Sequence, residues 1–113
     1  MKRTTKKAAI PAEIKAQVDE LVEQFNREVF KGDPNFYFVV RYRGDGAYFD
    51  FCDYGRLGPR YRLLYRGQMD NWEFAIYKYS RNGYDPDEWF FPGSNHVDGT
   101  VTGALRAGLE AYP

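Results

Sequence analysis

The stretch Trp72-Glu73-Phe74-Ala75-Ile76-Tyr77-Lys78-Tyr79 constrains the fold of this chain most strongly. Its large apolar side chains Trp72, Phe74 and Ile76 alternate with the others, which is the period-two pattern of a β-strand with one buried face. Burying three such side chains stabilises a fold by roughly 1.5–3 kcal/mol each. The stretch is therefore predicted to be the anchor strand of an antiparallel sheet.

A helix is predicted ahead of the sheet, from Pro11 to Lys31. Pro11 suits a first helical turn, and Gly32 followed by Asp33-Pro34 prevents continuation. The apolar residues of this segment fall on one stripe at helical spacing: Ile14, Val18, Leu21, Val22, Phe25 and Val29.

A second amphipathic helix is predicted near the end of the chain, with Asp98 as its N-cap. It contains Gly103 and Gly108, although glycine inside a helix costs about 1 kcal/mol relative to alanine. Close approach of this helix to the sheet or to the first helix explains why glycine is tolerated there.

Two hairpins are predicted between the helices. The first joins 36–43 to 47–54, and Asp45-Gly46 at its centre has the residue types of a type I′ turn. This turn pairs Tyr42 with Phe49 and Arg41 with Asp50. The second joins a strand over 60–66 to the anchor strand, with Leu63 facing Ile76 and Tyr65 facing Phe74. In both hairpins the apolar residues share a face.

The predicted fold class is α+β, a two-layer sandwich in which a four-stranded antiparallel meander carries the N- and C-terminal helices on one face. Residues 1–10 are predicted to be a disordered basic tail, and residues 11–113 a single α+β domain. The apolar run Trp89-Phe90-Phe91 is predicted to be a short fifth strand or a plug that closes one end of the core.

Charge and cysteine content narrow the class of protein. Sixteen basic and sixteen acidic residues cancel, so net charge gives no argument for nucleic acid or membrane. The single cysteine, Cys52, excludes an internal disulfide framework and fits a reducing compartment. The N-terminus lacks the apolar stretch of a signal peptide, and no apolar run approaches the ~20 residues of a membrane span. A cytoplasmic protein without membrane contact is expected.

Four stretches of the chain together form a recognisable series of motifs. They are Val40-Arg41-Tyr42-Arg43-Gly44, 72–79, Arg81-Asn82-Gly83 and the helix after Asp98. This order resembles a family of small bacterial proteins known only as a domain of unknown function. The resemblance implies a helix, an antiparallel meander and a helix, and it implies no activity. The segment from Asp85 to Phe91 departs from the family's pattern.

Arginine and tyrosine collect on the outer face of the predicted sheet. Such residues stack bases and hold phosphates, they are enriched at protein interfaces, and they also stabilise solvent-facing sheets. A protein partner or self-association is the favoured function, with nucleic acid or another anionic ligand as the alternative. The candidate binding residues are Tyr37, Arg41, Arg43, Tyr48, Arg60, Arg62, Arg66, Tyr77 and Tyr79.

No catalytic constellation is predicted. His96 is the only histidine, and the carboxylates of Asp85, Asp87, Glu88 and Asp98 lack metal-ligand spacing around it. Cys52 lies in the middle of a predicted strand without a histidine nearby in sequence. The protein is therefore predicted to be non-enzymatic, without a cofactor or metal.

Overall fold

The computed structural model describes residues 9–112. Its elements in chain order are α1 (Ala12–Phe30), β1 (Phe36–Arg43), β2 (Gly46–Asp53), β3 (Arg56–Tyr65), β4 (Trp72–Lys78), β5 (Gly83–Asp85), a short 3-10 helix (Ser94–His96) and α2 (Val101–Ala111). The strands form one antiparallel sheet in the order β1-β2-β3-β4-β5. The predicted α+β class and antiparallel meander are confirmed, with five strands in place of four.

The fifth strand does not lie where the sequence placed it. Asn82 adopts a positive φ of 53° in the turn after β4, and β5 then pairs with β4. Pro86 ends β5 after three residues, because proline has no N–H to donate. The segment Trp89-Phe90-Phe91 forms the plug instead: the ring of Phe91 stacks on Phe74 with 5.8 Å between centroids, whereas Phe90 is 99% exposed.

The core lies between the sheet and the two helices. Helix α1 packs on β1, α2 contacts β3 and β4, and the helices contact each other. Ile10, which the sequence assigned to the basic tail, is also buried in this core; the rest of that predicted tail, up to residue 8, lies outside the described residues. Large core side chains include Val18, Val22, Phe25, Phe38, Phe49, Tyr61, Leu63, Trp72, Phe74, Ile76, Val101 and Leu105.

Both predicted hairpins have the correct faces and a register that is wrong by two residues. In the first, Tyr42 pairs with Ala47 rather than Phe49, because the loop is Gly44-Asp45. Gly44 takes the positive φ of 59° at the first loop position, as in a type II′ turn. In the second, Leu63 pairs with Phe74 rather than Ile76. A shift of two leaves side chains on their predicted faces, and Arg60 is an exception that has a different cause, the bulge in β3.

Strand β3 contains a bulge that alternation does not reveal. It begins at Arg56, directly after a Tyr54-Gly55 loop in which both residues have positive φ. Asp50 then pairs with Pro59 and Phe49 pairs with Tyr61, so Arg60 is the extra residue of β3. A bulge re-aims the side chain of the inserted residue, and here Arg60 points toward helix α2.

The N-cap of helix α2 lies two residues after the predicted one. Thr100 is the N-cap, since its hydroxyl oxygen accepts a hydrogen bond from the Gly103 N–H at 3.0 Å. Asp98 accepts hydrogen bonds from the N–H and the hydroxyl of Thr100, at 3.0 and 2.6 Å. The prediction of Asp98 as the cap is therefore wrong. Asp98 instead orients Thr100, which caps the helix. Within residues 9–112, neither helix has the length and hydropathy to cross a membrane.

Candidate functional site

Three tyrosines form the centre of the outer face, by which we mean the face of the sheet turned away from the helices. The ring of Tyr84 on β5 meets Tyr48 edge to face at 5.5 Å and Tyr77 at 5.1 Å. Edge-to-face contacts of this kind stabilise aromatic pairs beyond the area that they bury. The three rings therefore join β2, β4 and β5 on this face.

Two arginines lie over these rings. The guanidinium of Arg41 is 5.2 Å from the centroid of Tyr48, and that of Arg62 is 5.5 Å from Tyr84. Both distances are within the range of a cation–π interaction. The Nε atom of Arg62 is buried without a hydrogen-bond partner, so aromatic contact takes the place of hydration for that part of the side chain. We call Arg41, Tyr48, Arg62, Tyr77 and Tyr84 the tyrosine–arginine cluster.

Carboxylates balance most of the positive charge of the outer face. Arg41 Nε is 3.2 Å from Asp50 Oδ2. Arg66, which directly follows β3, pairs with two carboxylates. Its NH1 is 3.0 Å from Oδ2 of Asp45 in the β1–β2 loop, and its Nε is 3.0 Å from Oε2 of Glu73 on β4. The outer face thus carries four arginines, including the exposed Arg43, against three carboxylates, which leaves one positive charge.

Two phenols of this face, those of Tyr37 and Tyr84, have a pKa above the ordinary value of tyrosine. Burial raises the pKa of Tyr84, and a hydrogen bond with the neighbouring Cys52 thiol raises the pKa of Tyr37. Tyr37 and Cys52 are opposite each other on β1 and β2, and the thiol is buried. Neutral phenols remain hydrogen-bond donors, which suits them to contacts with polar groups of a partner.

Seven of the nine predicted binding residues lie on the outer face, and two, Tyr79 and Arg60, do not. Tyr79 lies past the end of β4, where its hydroxyl donates to the Pro59 carbonyl at 3.1 Å. Arg60 is not on the outer face, because the bulge in β3 turns it toward α2. The predicted residues that the outer face does carry are Tyr37, Arg41, Arg43, Tyr48, Arg62, Arg66 and Tyr77.

Tyr84 is the functional candidate that the sequence did not reveal. A strand of three residues is too short to show alternation, and Pro86 argues against a strand at this position. The available signal was Asn82-Gly83, a turn dipeptide that returns the chain antiparallel to β4 and carries the next residue over its outer face.

Comparison of the chain with protein-family models, with curated proteins and with solved structures finds no match. The resemblance to the bacterial domain of unknown function stays a prediction. The function is therefore inferred from the geometry of the outer face.

The other chemistry-bearing side chains lie apart from one another. His96 Nε2 is 2.7 Å from Oε2 of Glu110, which lies in the last turn of α2. Asp85 is paired with Arg81 at 2.7 Å, and Cys52 is on the outer face. Across residues 9–112, no three histidine, cysteine or acidic side chains converge in a way that would hold a metal ion.

Proposed function

We propose that the protein is a non-enzymatic binding protein that acts through its outer face, and that a second copy of the chain is the partner this face fits. The tyrosine–arginine cluster is the observation that carries the proposal. Tyrosine and arginine are enriched at protein interfaces and among the residues that dominate binding energy. Here they are held in place by contacts with one another.

Pre-organisation of the cluster supports binding. Ordering a flexible side chain at an interface costs about 0.5–1.5 kcal/mol. Arg41 is already restrained by Tyr48 and Asp50, and Arg62 by Tyr84. These side chains therefore lose little freedom when a partner covers them.

The charge balance of the outer face favours a protein over a nucleic acid. Binding to a phosphate backbone draws its affinity from cations that neutralise phosphates. Arg41 and Arg66 are already paired with carboxylates, and the whole chain is neutral. A face with one net positive charge is better suited to a surface of mixed charge.

The arrangement of charge across the sheet is self-complementary. One row of paired positions runs Arg43, Gly46, Leu64, Glu73 from β1 to β4. Its two ends are an exposed arginine and an exposed glutamate. Two copies that face each other across a two-fold axis parallel to the strands bring Arg43 of each against Glu73 of the other. This is the reciprocal pattern of an isologous dimer.

Charge reversal tests the proposed dimer by sedimentation equilibrium. Arg43→Glu and Glu73→Arg should each weaken self-association by about tenfold or more, because each places like charges together twice. An equimolar mixture of the two variants should associate again, since both contacts are then between opposite charges. Arg106→Glu, at an exposed position on α2, is the matched control and should leave self-association unchanged.

Two outcomes contradict the proposal. One is a parent chain that stays monomeric at millimolar concentration, and the other is a mixture that associates no better than its components. The alternative ligand is tested by titrating a labelled single-stranded oligonucleotide. Binding that weakens by about 0.7–0.9 log units per phosphate for each log unit of salt, and that is lost in Arg62→Glu, would assign the outer face to nucleic acid instead.

A further inference from the structure

An open groove of about 650 Å³ lies at the β2–β3 hairpin end of the sheet. It is lined by Arg60 and Tyr79, the two side chains that the sequence had assigned to the outer face, together with Phe51, Asp53, Arg56 and Leu57. Its volume is in the range of small-molecule sites. We call it the Arg60 groove, and it contains no residue of the tyrosine–arginine cluster.

Arg60 is fixed in this groove with unused hydrogen-bond donors. Its NH1 donates to the Gly108 carbonyl at 2.7 Å, and its guanidinium is 4.6 Å from the Phe51 centroid and 5.5 Å from that of Tyr112. Its other N–H groups make no hydrogen bond to the described residues, and they are not among the buried, unpartnered atoms. They therefore reach the solvent of the groove.

Arg60 forms no direct ion pair among residues 9–112, where each ion pair involves another cation. The Asp53 carboxylate lines the same groove and favours the charged form of Arg60 without contacting it. Removal from water lowers its pKa, although a guanidinium remains charged in proteins. A half-dehydrated cation of fixed orientation gains more from an anionic ligand than a flexible surface arginine does.

The same groove gathers exposed apolar surface. Tyr54, Leu57 and Tyr79 line it, and they are three of the five large hydrophobic side chains that are exposed in the described chain. Tyr79 is held in position by its hydrogen bond to Pro59 and by the absence of a side chain at Gly58, where a methyl group would lie 2.9 Å from the Tyr79 hydroxyl. Clustered apolar surface of this kind marks binding sites.

We propose that the Arg60 groove binds a small organic monocarboxylate with a flat apolar body. The carboxylate accepts hydrogen bonds from the free N–H groups of Arg60, in the forked geometry that arginine offers to carboxylates. The apolar body lies against Leu57 and Tyr79. Arg56 and Arg60 against Asp53 leave one positive charge in the lining, which matches a monoanion. Asp53 disfavours a phosphate dianion.

Titration of the ¹⁵N-labelled protein with 3-phenylpropionate, followed by NMR, tests this site. We expect saturable shifts at the backbone amides of Arg56, Leu57, Gly58, Arg60 and Tyr79, since Pro59 has no N–H. Its alcohol, 3-phenyl-1-propanol, and the shorter acid propionate should each bind at least tenfold more weakly, because each lacks one of the two features that the groove recognises. Arg60→Gln should weaken 3-phenylpropionate binding by about tenfold or more, whereas Arg27→Gln, at an exposed position of α1 outside both surfaces, should have no effect.

A second variant keeps the test decisive if Arg60→Gln does not fold, since Arg60 also contacts α2. Leu57 is 59% exposed, so Leu57→Ser should retain the fold and weaken binding of 3-phenylpropionate severalfold. An alcohol that binds as tightly as the acid would overturn the proposal. So would shifts located outside the groove, or an absence of saturable shifts.

Discussion

The side-chain amide of Asn26 bonds both backbone groups of Phe38 on the edge strand β1, as a further strand would. Its Oδ1 accepts from the Phe38 N–H at 2.9 Å, and its Nδ2 donates to the Phe38 carbonyl at 3.0 Å. An edge strand with free backbone groups invites pairing with another chain. A single residue of α1 thus joins the helix to the sheet and occupies the middle of this edge.

Asn26→Ala should lower the free energy of unfolding by about 1–3 kcal/mol, because two half-buried backbone groups lose their partners. Urea unfolding at neutral pH measures this loss. The control is Gln24→Ala, which removes only the exposed contact with Glu28 and should cost less than about 0.5 kcal/mol. Equal losses in the two variants would show that the amide does not hold the edge strand.

Tyr61 is fully buried, and its hydroxyl has no hydrogen-bond partner. Its ring stacks between Phe49 at 4.6 Å and Phe74 at 5.1 Å. An unpartnered buried hydroxyl costs about 1–3 kcal/mol. Tyr61→Phe should therefore raise the free energy of unfolding by about 1 kcal/mol at neutral pH, measured by urea unfolding. A loss of stability of that size would mean that a partner, such as an ordered water, satisfies the hydroxyl.

The gain from Tyr61→Phe should grow in alkaline solution. Burial raises the pKa of Tyr61 well above its ordinary value. The unfolded phenol ionises above about pH 10 while the folded one does not, so the unfolded state binds fewer protons and the parent loses stability as pH rises. The variant lacks this contribution, so its advantage over the parent should be larger above pH 10 than at neutral pH.

Arg60 and Tyr84 show why single residues of the binding surfaces escape prediction. Alternation assigns faces correctly until a bulge inserts one residue. Gly58-Pro59, directly before Arg60, are residue types that occur at bulges, but they do not say which residue is inserted. Tyr84 belongs to a strand of three residues that is defined by its pairing to β4 rather than by its own pattern. Both side chains take their positions from neighbouring strands.

At the scale of elements, the sequence predicts the two helices, the first four strands and the buried face of each of these strands, but it does not predict β5. It does not fix register, because a period of two is unchanged by a shift of two. The glycines of the loop between β1 and β2 allow either of two turns, and the pairing that forms uses Gly44-Asp45. Contacts from outside the hairpin hold Asp45 in this turn: the Tyr65 N–H donates to its carbonyl at 2.8 Å, and Arg66 pairs with its carboxylate at 3.0 Å.

Helix α2 approaches the sheet closely at Gly108, as the glycines of this helix predicted. A methyl group at Gly108 would lie 2.5 Å from Cε2 of Tyr61, and that ring is confined by its stacking. Gly108→Ala should therefore destabilise the fold by up to about 2 kcal/mol, since overpacking costs about 1–3 kcal/mol against a gain of about 1 kcal/mol in helix propensity.

Thermal or urea unfolding measures the effect of Gly108→Ala. The matched control is Thr102→Ala, at an exposed position of the same helix, which should raise stability by a few tenths of a kcal/mol. A Gly108→Ala variant that is as stable as the Thr102→Ala variant would mean that α2 can move away from Tyr61.

At the scale of the whole molecule, the arginine and tyrosine residues that the sequence predicted on one face lie on two separate surfaces. The outer face keeps Arg41 and Arg62 among tyrosines, and the bulge transfers Arg60 to a groove beside α2. The sequence predicted an arginine- and tyrosine-rich face from residue types and alternation. It did not predict the groove, which depends on three-dimensional pairing. The sequence did place Arg41 opposite Asp50, and the ion pair between them forms although the register of the strands differs.

The central claim is that the outer face binds a second copy of the chain. A dilution series of ¹⁵N NMR spectra, from millimolar to micromolar, tests it most directly. We expect concentration-dependent shifts at Arg41, Tyr48, Arg62 and Tyr84, with α1 and α2 unchanged. A spectrum that is constant over this range, or shifts that fall mainly on the helices, would contradict the claim.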